Sequence, residues 1–467
     1  MSLNVTVPIS YAAERDYILS VILKHFLGLD YVVQRTCVKV VCISDKDNER
    51  CLVIPDGLFA LPQSTWLTEE SLPREPLAWF NLRTFDDELS FDTVPVIYGA
   101  DMSDIGKGDY PARECCLRIP IDIFGSAFFM LTRYEEIINR KRDEHDRFPA
   151  IASLAHRNGF FDRPIVDEYV EILWTALKRL WPALVRKQRM FSMLVSHDVD
   201  SPSRYGFLTL PRTIRAMGGD ILLRGNIGTA IQGPWIRLKS SRQIHPADPY
   251  NTFDLIMDIS ERYGLVSAFY FICGRSRKNY DAQYEINHPA IRHLLKRIHE
   301  RGHEIGLHPS YDTYQRPQAI MDEAMHLRSI CAEEGIQQAK WGGRMHYLRW
   351  ETPTTLYGWE QAGMSYDSTL GYADHVGFRC GTCHEYPAFD PVARRKFSLH
   401  IRPLIAMDCS VIGKGYRGLG VTPAAYDEFK KLKSACRAVG GTFTILWHNT
   451  QFTTQQEREL YEAVIKA

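Results

Sequence analysis

The sequence predicts an α/β fold in two parts: a smaller α/β domain over residues 1–188, then a β/α barrel over residues 189–467. Three observations predict it. Strand and helix signals alternate after residue 190, interrupted only by a basic insertion at about 201–247. A Trp181-Pro182 stop and the polar connector Val185-Arg186-Lys187-Gln188-Arg189 divide the two parts. About 280 residues in one alternating unit suit a barrel better than two open sheets.

The first part carries helical periodicity over residues 15–26, 121–138 and 164–180, with strand-like runs at 38–43 and 95–99. Arg133-Tyr134-Glu135-Glu136 reads as a solvated helix face. No cluster of His, Cys, Asp or Glu at ligand spacing marks this half, so the sequence assigns it no chemistry.

The second part opens on the apolar run Met193-Leu194-Val195-Ser196, a buried strand that ends in His197-Asp198-Val199-Asp200. Helices follow at 251–263, 288–301 (closed by Gly302), 317–334 (closed by Gly335), 422–439 and 453–467. Between them lie strand runs at 266–272, 303–307, 338–347, 364–370, 396–407 and 442–446. The insertion sets Arg204, Arg212, Arg215, Arg224, Arg237, Lys239 and Arg242 against one acid, Asp220, with Leu and Ile residues and Trp235 interleaved. It reads either as a basic surface excursion with its own small core or as a platform for something anionic. A nucleotide-sugar, a lipid-linked diphosphate and a membrane face all fit that description.

Composition limits the function. Lys+Arg and Asp+Glu both number 56, so no global charge points to nucleic acid. No leader-like N-terminus and no stretch of membrane-spanning length is found. The eleven cysteines are odd in number and scattered, which favours a reducing, cytoplasmic setting over a disulfide framework.

The residues that could carry chemistry stand at strand ends. Asp198 and Asp200 are two apart, so both side chains point to one side. Two like charges so close need a cation or a hydrogen-bond partner between them, and a divalent metal solves the problem, with one carboxylate as ligand and the other left free as a base. A pair of solvated strand-end aspartates is the alternative. In Gly302-His303-Glu304-Ile305-Gly306-Leu307-His308-Pro309-Ser310-Tyr311-Asp312, His303 and His308 are five apart on a strand and face opposite ways. His308, at the strand end, and Asp312, four residues on, make a usable divalent site with Asp200; His303 reads as a core histidine. Arg344 in Trp341-Gly342-Gly343-Arg344-Met345-His346 can grip a carboxylate through two parallel hydrogen bonds. His448, after Thr444-Ile445-Leu446-Trp447, can donate a proton to a leaving group. Arg379, with Phe378, Asp374 and His375, reads as a rim loop that could contact substrate, and Tyr372 and Trp350 read either as buried aromatic packing or as rings that could stack on a sugar. Cys380-Gly381-Thr382-Cys383 has C-x-x-C spacing but no matching second pair.

On these residues, 191–467 resemble the polysaccharide deacetylase (NodB-homology) superfamily, carbohydrate esterase family four. The run Gly302–Gly306 followed by His308, and Leu446-x-His448, match its second and fifth motifs most closely; Ser196–Asp200 and Tyr366-Asp367-Ser368 match its first and fourth more loosely. The resemblance implies a distorted β/α barrel, a divalent metal (zinc, or Co, Ni, Mn or Fe) and removal of acyl groups from N-acetylated sugars. It also implies roles. Asp198 would be the base, Asp200, His308 and Asp312 the metal ligands, and Arg344 the residue that holds the base. Leu446 would line the acyl pocket and Trp447 beside it would contact substrate, with His448 as the acid oriented by Asp367. Two departures stand out: Asp312 where the family has a second histidine, and His346 where it has a proline. Residues 1–188 resemble an uncharacterised domain that precedes some bacterial deacetylase domains. The readings implied are an N-deacetylase acting on an amino sugar, nucleotide-sugar or lipid-linked glycan in surface-polysaccharide synthesis, a deformylase or similar C–N amide hydrolase, and a catalytically silent glycan-binding barrel. Oligomeric state is not legible.

Overall fold

The computed structural model describes residues 2–47, 49–85, 89–100, 116–223 and 225–466. Its strands are β1 (Leu3–Pro8), β2 (Tyr31–Thr36), β3 (Val40–Ser44), β4 (Cys51–Pro55), β5 (Ala78–Asn81), β6 (Thr93–Val96), β7 (Cys116–Arg118), β8 (Ser192–Val199) and β9 (Ser267–Phe271). They continue with β10 (Glu304–Leu307), β11 (Gly342–Gly343), β12 (Tyr366–Asp367), β13 (Tyr386–Asp390), β14 (Arg395–Ile401), β15 (Ala406–Met407) and β16 (Thr442–Leu446). The first half holds a mixed sheet in the order β2-β1-β3-β4-β7 and a hairpin, β5-β6. A disulfide joins Cys51 of β4 to Cys116 of β7, so the expectation of unpaired thiols fails at this pair.

The second half is one sheet in the order β13-β14-β12-β11-β10-β9-β8-β16-β15. Every neighbouring pair is parallel except β13-β14. The expected closed barrel is not formed: among the described residues the sheet is open between β13 and β15. The reason lies at β14, whose two edges are taken by β12 and by the antiparallel β13, leaving no ladder for the two-residue β15. The parallel strands are near-continuous apolar runs because helices cover the sheet. Helix Pro289–Glu300 shows how: His288 caps it, Pro289 starts it, and Ala290, Ile291, Leu294, Leu295 and Ile298 form its buried stripe. It ends at Gly302, whose φ of 77° suits a residue without Cβ.

The insertion folds as two helices, Leu210–Leu222 and Ile227–Lys239, around a small core of Tyr205, Ala230 and Ile236. Arg224 lies outside the described residues.

The two halves share one hydrophobic core, in which Phe128 of the first packs on Phe389 of the second. Arg133 to Glu136, expected to be solvated, is buried at this seam. Glu136 Oε1 accepts from Arg133 Nε (2.9 Å) and Arg379 Nε (2.9 Å), and Oε2 from Arg379 Nη2 (2.7 Å). Helical periodicity cannot reveal this, because the partner guanidinium is 243 residues away. Asp167 accepts from Thr382 Oγ1 (2.6 Å) and Cys383 N (2.9 Å), and Tyr17 donates to the Pro387 carbonyl (2.8 Å). Segment 372–394 therefore anchors the halves together. The expectation that Arg379 sits on a site rim is corrected: it is buried at the seam against Glu136, and Tyr372 takes the buried reading, packed with Phe148 and Ala150 rather than open to substrate.

Candidate active site

Parallel strands end together, and here β8, β10, β11, β15 and β16 deliver their C-terminal residues to one pocket of about 420 Å³. Asp198, Asp200, His308, Leu446 and His448 line it, as the strand-end reading expects. Arg344 lies just beneath, with no solvent exposure. Its Nη1 donates to Asp198 Oδ1 at 2.8 Å; Nη2 donates to Ser196 Oγ (2.9 Å) and Ser368 Oγ (3.1 Å), and Nε to the Ser368 carbonyl (2.9 Å). The guanidinium thus holds one oxygen of Asp198 rather than both, and Oδ2 stays turned toward the pocket, 3.7 Å from His308 Nε2.

Three side chains meet at the centre. Asp200 Oδ1 lies 3.3 Å from His308 Nε2 and 3.5 Å from His346 Nε2, and the three ligand atoms fall within 4.8 Å of one another. Each imidazole is held from behind: His308 Nδ1 contacts the Arg344 carbonyl at 2.6 Å, and His346 Nδ1 contacts Asp281 Oδ1 at 3.3 Å. An Nδ1–H donated to those oxygens leaves each Nε2 a lone pair facing inward. Asp200 Oδ1 and His308 Nε2 are buried with no hydrogen-bond partner among the described residues. Such orphaned acceptors converging with a third donor ligand fit a divalent cation of the zinc type.

This corrects the expected ligand set. Asp312 is carried away by the Pro309-Ser310 turn; its Oδ2 accepts from Arg277 Nε (3.0 Å) and its Oδ1 from Arg349 Nη1 (3.1 Å). His346 stands in its place. It stands just past β11 at the start of a short turn, in which Tyr347 and Leu348 take φ 61° and 56°, and it lines the pocket. The sequence signal was the histidine in the position of the expected proline.

The orienting partner of His448 is also corrected. Asp408, one residue past β15, sits 2.7 Å from His448 Nδ1 through Oδ1, and its Oδ2 accepts the His448 backbone N–H at 2.7 Å. Asp367 instead binds Thr369 N (2.9 Å) and Trp350 Nε1 (3.2 Å), and its burial pushes its carboxyl up to about 6. Asp408 was legible as one more carboxylate at a strand end. Trp447 points to the other face, packed on Phe429 and Tyr461. His303 is a core histidine accepting from Ser267 N, as expected. Cys380 and Cys383 are buried free thiols.

The electrostatics follow from this crowding. Removal from water raises the Asp200 carboxyl, but His346, His308 and His448 around it outweigh that and hold it well below the usual carboxylate range. Burial lowers His448, yet Asp408 lifts it well above an ordinary histidine. The pocket's apolar wall is Leu446, Met407 and Leu348. Arg147, from the half in which the sequence showed no chemistry, also lines it, held by Asp143 at 2.7 Å.

The family model for DUF7033, a family of unknown function, matches residues 3–182. No curated protein matches. Among solved structures, a presumed polysaccharide deacetylase from Mycobacterium smegmatis is similar at 16% identity and TM-score 0.37, over 60% of this chain and 84% of that one. Puue allantoinase is similar at 12% identity and TM-score 0.36, over 61% and 85%. The Xyl-CE4 domain of a multidomain xylanase from the hindgut metagenome of Trinervitermes trinervoides is similar at 13% identity and TM-score 0.26, over 60% and 82%. These likenesses are weak, and the functional reading rests on this chain's own residues.

Proposed function

We propose that this chain is a divalent-metal-dependent hydrolase that removes an N-acyl group, acetyl in the first instance, from an amino sugar in surface-glycan synthesis. The observation that supports it is the juxtaposition of Asp200, His308 and His346 with a carboxylate whose second oxygen is open, Asp198, and with the Asp408–His448 pair. A bound divalent ion, zinc before Co, Ni, Mn or Fe, supplies Lewis acidity toward the acyl carbonyl and makes a water more acidic. Asp198, oriented by Arg344, accepts the proton of the attacking water at Oδ2. His448 gives a proton from Nε2 to the departing amine while Asp408 holds its Nδ1–H. Leu446, Met407 and Leu348 exclude water beside a small acyl group. Arg147 reaches the pocket where hydroxyl or phosphate groups of a nucleotide-sugar or lipid-linked glycan would lie.

The test is elemental analysis of the full chain beside His308→Ala, with acetate and formate release measured on N-acylated amino sugars. Near-stoichiometric metal in the wild type, lost in the variant, with acetate released, is the expected result. Formate alone would move the assignment to a deformylase, and no metal with no hydrolysis would leave a glycan-binding protein. The cytoplasmic location expected from the cysteines is a separate proposal, and the Cys51–Cys116 bridge counts against it. Thiol titration of the denatured chain decides: all eleven cysteines reactive supports it, and two fewer opposes it.

A further inference from the structure

The helical pair of the insertion turns an apolar side outward. On Ile227–Lys239, the residues Ile227, Ile231, Trp235 and Leu238 recur at i, i+4, i+8 and i+11, a single stripe. Such a stripe belongs in a core, yet Ile231 is 71% exposed, Trp235 57% and Leu238 68%. The preceding helix repeats the arrangement with Leu210, Ile214 and Ile221, and at the turn Leu222 and Leu223 are 84% and 85% exposed. The inward faces are already satisfied: Gly233 packs on Tyr205 and Met217, and Ala230 and Ile236 are fully buried. The outward stripes are therefore surplus to the fold.

Charge selects the occupant. Arg212, Arg215, Lys239 and Arg242 flank the stripes with no ion pair among the described residues, and Lys239 Nζ sits 4.7 Å over the Trp235 ring. The one acid of the pair, Asp220, is turned inward onto Arg204 (2.9 Å) and Tyr205. A second copy of this chain would set one basic rim against another with no carboxylate between. An apolar stripe of Ile, Leu and Trp with a basic border is the composition that lies in the headgroup region of an anionic bilayer. We propose that this helical pair docks the protein on an anionic lipid surface. Since the insertion leaves β8 directly after Asp200, docking would hold the pocket beside the bilayer. The proposal concerns binding alone and stands whether or not the pocket hydrolyses an amide.

The experiment is flotation of the full chain with phosphatidylcholine vesicles, with and without phosphatidylglycerol, at low and high salt. The expected result is binding to the anionic vesicles that high salt releases. Ile231→Glu with Trp235→Glu should lower the partition constant at least tenfold while the circular dichroism and thermal midpoint hold. Arg212→Glu with Arg215→Glu and Lys239→Glu should lower it about fivefold for each basic residue removed. Absence of binding by the folded wild type, or binding that both variants retain, overturns the proposal. So do two other results without vesicle binding: self-association that the apolar variant abolishes, which gives the face to a second copy, and retention on polyglutamate, which gives it to an acidic polypeptide.

Discussion

Two of the buried arginine–carboxylate clusters, one at the seam and one in the pocket, differ in one respect that decides their use. At the seam, Glu136 has both oxygens occupied by Arg133 and Arg379. In the pocket, Asp198 has one oxygen held by Arg344 and the other facing His308 across 3.7 Å. Both carboxylates are almost fully buried. Burial alone therefore does not set the two acids apart; whether an oxygen is left free does. A carboxylate held at both oxygens serves to hold, whereas one held at a single oxygen can still accept a proton.

The sharpest way to break this contrast is to neutralise each acid without changing its shape. Asp198→Asn should lower turnover on the order of 10²–10⁴-fold, the span of a lost general base, with metal content and thermal midpoint kept. Intact turnover would remove Asp198 as the base. Glu136→Gln should do the reverse: a loss of about 3–5 kcal/mol in urea unfolding, because two guanidinium groups remain buried against a neutral amide, with turnover per folded molecule unchanged. The pH dependence of that loss sharpens the comparison. Burial opposes ionisation of Glu136, but Arg379 and Arg133 outweigh it and bring the carboxyl down to about 2 from 4.5. Its stabilisation is therefore complete above pH 4.5 and fades as pH falls toward 2. The stability gap between wild type and Glu136→Gln should close over that window; a gap that stays constant would mean the glutamate does not act through its charge.

A smaller effect is expected one layer behind the ligands. Asp281→Asn weakens the contact that holds His346 Nδ1, and metal affinity should fall by about 10–100-fold in competition with a chelator. Unchanged affinity would mean that His346 is packed beside the site without serving it.

The same contrast explains what the sequence could and could not disclose. Asp198, Asp200, His308, Arg344 and His448 were legible because each ends an apolar run, and parallel strands bring such ends together whatever the loops do. Glu136 was misread because it follows the polar Arg133-Tyr134-Glu135, and Arg379 because Asp374 and His375 lie just before it; only the fold buries one against the other. Asp408 carried the same strand-end signal, one residue past the run read as 396–407, and went unassigned because the resemblance gave the orienting role to Asp367. The open sheet was illegible for another reason: alternation gives the number and direction of strands, but the edge ladder that β13 takes from β14 depends on a return of the chain with no periodic signature.

Asp312 is the case where resemblance and geometry part, and the smallest effect tests it. Position favours it as a ligand, four residues beyond His308 in a stretch that otherwise follows the family pattern. Geometry gives its two oxygens to Arg277 and Arg349, and those charges oppose the second positive centre that a ligand must welcome. His346 brings a ring nitrogen whose opposite side is already held by a carboxylate, the arrangement that suits a divalent ion. Asp312→Ala should therefore leave metal content unchanged, while His346→Ala should lose it. Metal lost from the Asp312 variant and kept by the His346 variant would restore the family pattern. It would require the 309–312 turn to swing in when the ion binds, against both arginines.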